Sequence, residues 1–181
     1  MALTLGNVTP PTATTLNIGG TTGRIYLAAI TDFLTIGAKE EMNDPAATNS
    51  GIIEITDDHT FTSPKGFHTI YITRDSGNLE GKPNSERDTT GYLATYKGQT
   101  PGADAGTASQ LLQWQNIKAI ALVELADGRL RQLGSARFPA EVKTEWSSGN
   151  NEKGYRGWTI TISSFESSEA EYKGIITLAT P

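Results

Sequence analysis

The strongest structural signal in this chain is an alternation of apolar and hydroxyl side chains near its C-terminus. From Trp158 to Ser164, apolar residues take every second position until the run ends on serine, and Thr or Ser fills the positions between them. A period of two is that of a β-strand with one face against a core and the other toward water. The segment is therefore predicted to be a half-buried strand with an apolar face and a hydroxyl face.

Two continuous apolar runs predict strands that are buried more completely. Arg24–Thr31 lies between a glycine and an aspartate, and Ile117–Leu125 precedes Asp127-Gly128. The Asp-Gly pair is a strong hairpin signal and favours a type I′ turn, with positive φ at both central residues. We expect the return strand to run over Arg129–Phe138, with a bulge or bend permitted at Gly134.

One short helix interrupts the β pattern. Asp104 or Thr107 can cap its N-terminus, Leu111, Leu112 and Gln115 would share one face, and Asn116 is a plausible stop. Further strands are predicted at Ile52–Asp57, Phe67–Thr73, Val142–Trp146 and Tyr172–Leu178. The fold class is thus predicted to be mainly β: a β-sandwich or open barrel of about eight antiparallel strands with one short helix.

The chain divides into an N-terminal arm and one domain. Residues 1–23 hold no charged side chain, a Pro-Pro pair and apolar residues spaced along their length, so we predict an extended arm that packs on its own domain or on a neighbour. Residues 24–181 are predicted to form a single β domain. Long loops are predicted at residues 37–51 and 75–91, where small, polar and turn-forming residues concentrate.

Composition excludes several classes of protein. The chain has 15 basic and 20 acidic residues, and the whole net charge of −5 lies in residues 1–90, which hold 6 basic and 11 acidic side chains. This balance argues against a protein that binds nucleic acid by releasing counterions. The absence of cysteine excludes disulfide scaffolds, and no apolar run is long enough to span a membrane. We also expect no signal peptide.

The sequence contains no recognisable constellation for catalysis. His59 follows Asp57-Asp58, which is more typical of a turn between strands than of an acid–base pair, and His68 lies in a predicted strand. Phosphate-binding loops and nucleophile elbows are absent from the sequence. We therefore predict no catalytic residue, no metal and no cofactor.

Several side chains are candidates for contacts between subunits. In the arm these are Leu3, Leu5, Leu16 and Ile18, and in the domain they are Trp114, Arg129 and Arg131. The arginines belong to a basic cluster on the predicted hairpin. This cluster is either exposed to solvent or part of a contact between subunits. Trp114 lies on the short helix, where it could anchor a contact.

The C-terminal half resembles the major tail-tube proteins of tailed bacteriophages. The resemblance covers roughly Leu111 to Leu178: the helix with Leu111-Leu112, then IKAIALVELADGRLRQLGSARFPAEV, then GYRGWTITISS, and a last strand with Tyr172 and Lys173-Gly174-Ile175. It implies a virion structural protein, assembled in the host cytoplasm, that forms hexameric rings. The rings would stack into a tube whose inner wall is a β-barrel with four strands from each subunit.

The resemblance also implies partners and a lining for the tube. The partners would be copies of the chain and other virion proteins, with DNA passing through without specific binding and no membrane involved. Thr159, Thr161 and Ser163 would face the lumen. Two alternatives remain open: a capsid-stabilising or head–tail joining protein, which is also mainly β, and a surface β module that binds glycans through exposed aromatic rings.

Overall fold

The chain folds as a mainly β protein with one α-helix, which confirms the predicted fold class. The structure, a computed structural model, describes residues 19–84, 91–102, 104–149 and 154–180. The strands in these residues are β1 (Thr21–Ala29), β2 (Phe33–Thr35), β3 (Glu54–Ile55), β4 (Thr60–Phe61), β5 (His68–Tyr71), β6 (Asn78–Pro83), β7 (Tyr92–Pro101), β8 (Lys118–Leu125), β9 (Leu130–Leu133), β10 (Ala140–Ser147), β11 (Gly157–Glu166) and β12 (Ala170–Tyr172). Helix α1 spans Ala105–Gln113, and a 3-10 turn follows β1.

Strand β8 is the centre of a forked sheet. One of its edges pairs with β1, which in turn pairs with β5. Its other edge pairs first with β10, through Lys118 and Ala119, and then with β9, through Ala121–Glu124. Beyond the fork, β9 leads to β12 and β3, whereas β10 leads to β11, β7 and β6. We call the second branch, β10-β11-β7-β6, the four-stranded wing.

The chain switches between the two branches at Gly134, which follows β9. This residue has a φ of 90°, and an added Cβ would lie 2.6 Å from the backbone nitrogen of Ala140 and 2.9 Å from the carbonyl oxygen of Ala119. Glycine is therefore required here both by its backbone angle and by the closeness of two other strands. The predicted return strand accordingly ends at Leu133, and β10 begins after the bend.

The forked sheet encloses two apolar cores, one on each side of β1 and β8. Ile25 and Leu27 of β1 point into the larger core, which also holds the inward faces of β7, β10 and β11. Tyr26 and Ala28 point into the smaller core beside β12 and the small β2-β4 sheet. A strand buried on both faces needs apolar residues at consecutive positions, which explains the two continuous apolar runs in the sequence.

The strands around the larger core nearly close into a barrel. β5 and β7 approach each other at their ends, where the Thr73 amide donates to the Gln99 carbonyl at 2.6 Å and the Thr100 hydroxyl donates to the Tyr71 carbonyl at 2.7 Å. Helix α1 packs on the same core through Leu111, which is buried. Leu112 is 52% exposed and Gln115 lies after the end of α1, so the prediction that both share one helix face with Leu111 is wrong. Adjacent residues on a helix point about 100° apart.

Two predicted boundaries and a turn type are corrected by the structure. Residues 75–91, expected to be a loop, contain strand β6, and the predicted arm overlaps β1, which begins at Thr21. The Asp-Gly hairpin forms between β8 and β9, but the Gly128 amide donates to the Leu125 carbonyl, so the central residues of the turn are Ala126 and Asp127. Neither has a positive φ, so the turn is not type I′. β6 tolerates its glycine and proline because it is an edge strand that pairs with one long neighbour.

The end of the chain also differs from expectation. The sequence pattern predicts a strand over Tyr172–Leu178, but β12 ends at Tyr172, and Leu178 makes only an isolated parallel bridge to Phe67. β12 pairs in parallel with β3, so the sheet is mixed rather than wholly antiparallel. Residues 37–51 contain no helix or strand.

We expect Asp104→Ala to destabilise the subunit by about 1 kcal/mol, because Asp104 caps α1. Its Oδ1 accepts the Thr107 amide at 2.9 Å and its Oδ2 accepts the Thr107 hydroxyl at 2.8 Å. Urea unfolding of wild type and variant measures the loss. Asp104→Asn, which keeps an acceptor for the amide, should lose much less, and an equal loss in both variants would contradict the capping role.

Candidate assembly surface

Thr159, Thr161 and Ser163 lie where the alternating pattern predicts. Their strand, β11, buries Trp158, Ile160 and Ile162 in the larger core and turns the hydroxyl side chains outward. In the pairing of the four-stranded wing, each outward residue of β11 lies beside an outward residue of β10 and of β7. The wing therefore has one apolar face against the core and one outward face, which we call the polar face.

The charges on the polar face balance. The polar residues that share this face beside the three hydroxyl groups are Glu141, Lys143, Glu145 and Ser147 on β10, Thr95, Lys97 and Gln99 on β7, and Asn78, Glu80 and Lys82 on β6. At one end the same face also holds the partly exposed apolar side chains of Leu93 on β7 and Phe165 on β11. Three of the polar residues are carboxylates and three are ammonium groups. The polar face therefore carries no net charge, although the whole chain is acidic.

An ion pair within β6 orders the edge of this face. Lys82 Nζ lies 2.6 Å from Glu80 Oε2, and the Asn78 amide donates to Glu80 Oε1 at 3.0 Å. The hydrogen bond from Lys82 lowers the pKa of Glu80, and the same bond raises the pKa of Lys82. All three side chains are exposed, so this pair is open to exchange with charges on another molecule.

The four-stranded wing has open hydrogen-bonding edges on both sides. β6 pairs with β7 and with no other strand among the described residues. β10 pairs with β8 only through Ala140 and Glu141, so from Val142 to Ser147 no second strand of the described part of the chain pairs with its backbone. An open edge presents unpaired backbone amides and carbonyls, which is the requirement for adding a strand from another chain.

The backbone groups on these two open edges belong to residues that face the core. The Asn84 amide donates to the Gly91 carbonyl on the β7 side, so alternation along the strand turns the amides and carbonyls of Leu79 and Gly81 toward the open edge. On β10, the Val142 carbonyl accepts the Asn116 amide at the open edge, so Thr144 presents its amide and carbonyl there too. A strand pair across these edges would therefore keep the polar face continuous.

Arg129 and Arg131 have ion-pair partners within their own subunit. Arg129 Nη2 lies 2.6 Å from Asp127 Oδ2, and Arg131 Nη1 lies 3.5 Å from Glu171 Oε2 and 3.6 Å from Glu169 Oε1. The Arg129 hydrogen bond lowers the pKa of Asp127. Their role in subunit contacts stays a prediction, for which Arg129, with about half of its side chain exposed, is better placed than Arg131.

Trp114 packs largely within the subunit. Its ring lies at the end of α1 against the larger core, with its centroid 5.6 Å from that of His68 in an edge-to-face contact. It is partly exposed, so a contact with another subunit also stays a prediction. Leu3, Leu5, Leu16 and Ile18 lie outside the described residues.

A buried polar cluster around His59 was not predictable from the sequence. The histidine lies between β3 and β4, in keeping with the predicted turn between strands, but it is 2% exposed, and its ring stacks on Tyr172 with centroids 4.4 Å apart. Its Nδ1 accepts the Gly37 amide at 3.0 Å, which leaves Nε2 to donate to Gln132 Oε1 at 2.9 Å. Burial lowers the pKa of His59. The ring thereby ties the start of loop 37–51 to β9 and β12.

Lys39 and Glu166 are two partly buried charged side chains between the two branches of the sheet. Lys39 Nζ donates to the carbonyl and hydroxyl oxygens of Ser168 at 2.8 and 2.7 Å, which holds loop 37–51 against the turn after β11. Burial lowers the pKa of Lys39 and raises that of Glu166. By donating to the Ser168 oxygens, Lys39 anchors the loop.

Neither a metal centre nor a spanning helix is found in the part of the chain that the structure describes. No three His, Asp or Glu side chains there are grouped so that they could hold a metal ion. No helix in the same residues is long and apolar enough to cross a membrane. Comparison with protein families, with curated proteins and with solved structures found no match to this chain.

Proposed function

We propose that this protein is a structural, non-enzymatic virion subunit of the tail-tube type, which assembles into rings that stack as a conduit for DNA. The observation that carries the proposal is the four-stranded wing, with a core-facing apolar side, an outward polar face and open edges on both sides. A sheet with two open edges can be continued by copies of itself on both sides, which is a head-to-tail contact that closes into a ring by rotation.

The strand directions of the wing suit such a ring. Its four strands alternate in direction from β10 to β6, because every neighbouring pair is antiparallel. With an even number of strands, β6 of one subunit and β10 of the next also run in opposite directions when the subunits are related by rotation alone. The seam between subunits is then an ordinary antiparallel pair, and the ring has one continuous barrel wall.

The size and lining of such a barrel fit a conduit. Six subunits with four strands each would give about 24 strands, and barrels of this size leave an open channel rather than a packed interior. The polar face would line it with hydroxyl groups and with equal numbers of carboxylates and ammonium groups. A lining with no net positive charge avoids the many phosphate contacts that make DNA binding tight, so DNA could slide.

In this proposal the partners are copies of the chain and other virion proteins, and the site of action is the virion. The test is the assembly state of the purified full-length chain at high concentration, by analytical ultracentrifugation and negative-stain electron microscopy. We expect rings or tubes of uniform bore. A subunit that stays monomeric or trimeric and binds only preformed capsid shells would support the capsid-stabilising alternative. Binding to a glycan array without self-assembly would support the glycan-binding alternative.

A truncation tests the contribution of the N-terminal arm. Because β1 begins at Thr21, removal of residues 1–18 leaves every described strand intact. We expect the shortened chain to fold with an unchanged melting temperature but to lose the stacking of rings into tubes. The measurement is electron microscopy beside a thermal melt. Tubes of normal length from the shortened chain would contradict a role for Leu3, Leu5, Leu16 and Ile18 in contacts between subunits.

A further inference from the structure

The two open edges of the four-stranded wing carry charged side chains at alternate positions on the polar face. β6 presents Glu80 and Lys82, and β10 presents Glu141, Lys143 and Glu145. Each strand thus alternates in sign along its length. Opposite charges directly across an antiparallel pair stabilise it and like charges destabilise it, so such a pattern can select one register.

One register of β6 against β10 of a second copy satisfies the charges, and its Gly81 lies opposite Val142, whose carbonyl already accepts the Asn116 amide of its own subunit. It sets Leu79 opposite Thr144, which are residues whose amides and carbonyls point to the open edges. In this register, Glu80 lies opposite Lys143 of the partner subunit. Two residues further along, Lys82 lies in line with Glu141 of the partner subunit.

A shift of two residues in either direction sets like charges against each other. With Leu79 opposite Trp146, Glu80 meets Glu145 and Lys82 meets Lys143. With Leu79 opposite Val142, Glu80 instead meets Glu141.

A shift of β6 by four residues against β10 of the partner subunit would lose a backbone hydrogen bond between the two strands. Moving β6 by four residues sets Gly81 opposite Trp146 and Pro83 opposite Thr144. Proline has no amide hydrogen, so the Thr144 carbonyl would lose its donor. Shifts by an odd number of residues would turn the polar side chains of one subunit toward the core side of the next.

We propose that ring closure is set in register by an ion pair between Glu80 on β6 of one subunit and Lys143 on β10 of the next. This inference rests on the proposed ring. Within one subunit the two side chains cannot meet, because β7 and β11 lie between their strands and three strand spacings amount to about 14 Å. A change at Glu80 that is corrected by a change at Lys143 must therefore act between copies.

The experiment is a charge exchange in the full-length chain, with assembly followed by analytical ultracentrifugation over a range of concentrations. Glu80→Lys and Lys143→Glu each set like charges across every seam, and we expect each to raise the concentration at half-assembly by about tenfold or more. The double variant Glu80→Lys/Lys143→Glu restores opposite charges, and we expect its half-assembly concentration to return to within about threefold of wild type.

Lys97→Glu is the matched control. Lys97 lies on the polar face in the row of Lys143 but on the interior strand β7, so the substitution makes the same change in charge away from the seam. We expect it to assemble as wild type does. Thermal melts of all variants, monitored by circular dichroism below the assembly concentration, verify that each chain folds.

The possible outcomes separate this inference from the proposed function. Loss of assembly in both single variants with recovery in the double variant supports the Glu80–Lys143 pair. Loss in the single variants without recovery, or no loss in either, overturns the pair while the ring itself stands. A wild-type chain that forms no ring at high concentration overturns both.

Discussion

Replacing Gly134 by alanine is expected to destabilise the subunit by about 2–5 kcal/mol, which is a large share of the stability of a domain of this size. Two effects add. The φ of 90° costs a residue with a Cβ about 1–2 kcal/mol. The Cβ would also lie 2.6 Å from the Ala140 nitrogen and 2.9 Å from the Ala119 carbonyl oxygen, which are backbone atoms that cannot move without opening the fork. Urea unfolding measures the loss as a lower midpoint.

Gly128 provides a matched control for the steric part of this effect. Its φ is 86°, close to that of Gly134, but an added Cβ there meets nothing within 4 Å. We expect Gly128→Ala to lose only the backbone part, about 1–2 kcal/mol. Equal losses in the two variants would contradict the close approach of three strands at Gly134.

The stability of the subunit is expected to fall as the pH drops below about 6.5, because His59 is buried in its neutral form. Nδ1 must stay unprotonated to accept the Gly37 amide. Burial lowers the pKa of His59, and the hydrogen bond with Gln132 and the charge of Asp58 only partly oppose it. The other titratable ring against it is Tyr172, whose own pKa is raised by burial.

The direction of this pH dependence follows from the two states of the histidine. The unfolded chain takes up a proton near pH 6.5, whereas the folded chain takes it up only at a lower pH. Between these two values the proton favours the unfolded chain, by at most about 1.4 kcal/mol for each pH unit. Between pH 6.5 and 5 the loss from this one group is therefore up to about 2 kcal/mol.

The measurement is the free energy of unfolding in urea at several pH values from 8 to 5. His59→Gln keeps one acceptor and one donor for Gly37 and Gln132 but does not titrate, so its free energy of unfolding should depend less steeply on pH in this range. His68→Gln is the control, since His68 lies exposed on β5. A slope that is unchanged in His59→Gln, or that falls only in His68→Gln, would contradict the assignment.

The strands that pack against a core were predictable because a buried strand face needs apolar residues at regular positions in the sequence. The alternation from Trp158 to Ser164 gave the faces of β11 correctly, and the apolar run from Ile117 located β8. The edge strand β6 has no such apolar pattern, because five of its six residues are exposed and it contains both glycine and proline. Its strand conformation depends on the ten-residue strand β7 beside it.

The candidate assembly surface was only partly predictable. Thr159, Thr161 and Ser163 were placed on one face by periodicity alone. The charges beside them come from β6, β7 and β10, which are distant in sequence, so their balance across the face depends on the pairing of four strands. His59 was missed for the same reason, since its partners Gly37, Gln132 and Tyr172 lie on three separate segments.

The sequence by itself determined the β class, the single short helix with a cap at Asp104 or Thr107, and the inward and outward faces of the main strands. These features depend on local backbone preference and on a period of two, which a single segment carries alone. The tertiary structure decided where the sheet forks, that β10 loses its second neighbour at Val142, and that Glu80 and Lys143 lie at opposite open edges of one wing. Those features depend on which strands meet, and strand pairing is settled by contacts between segments far apart in the chain.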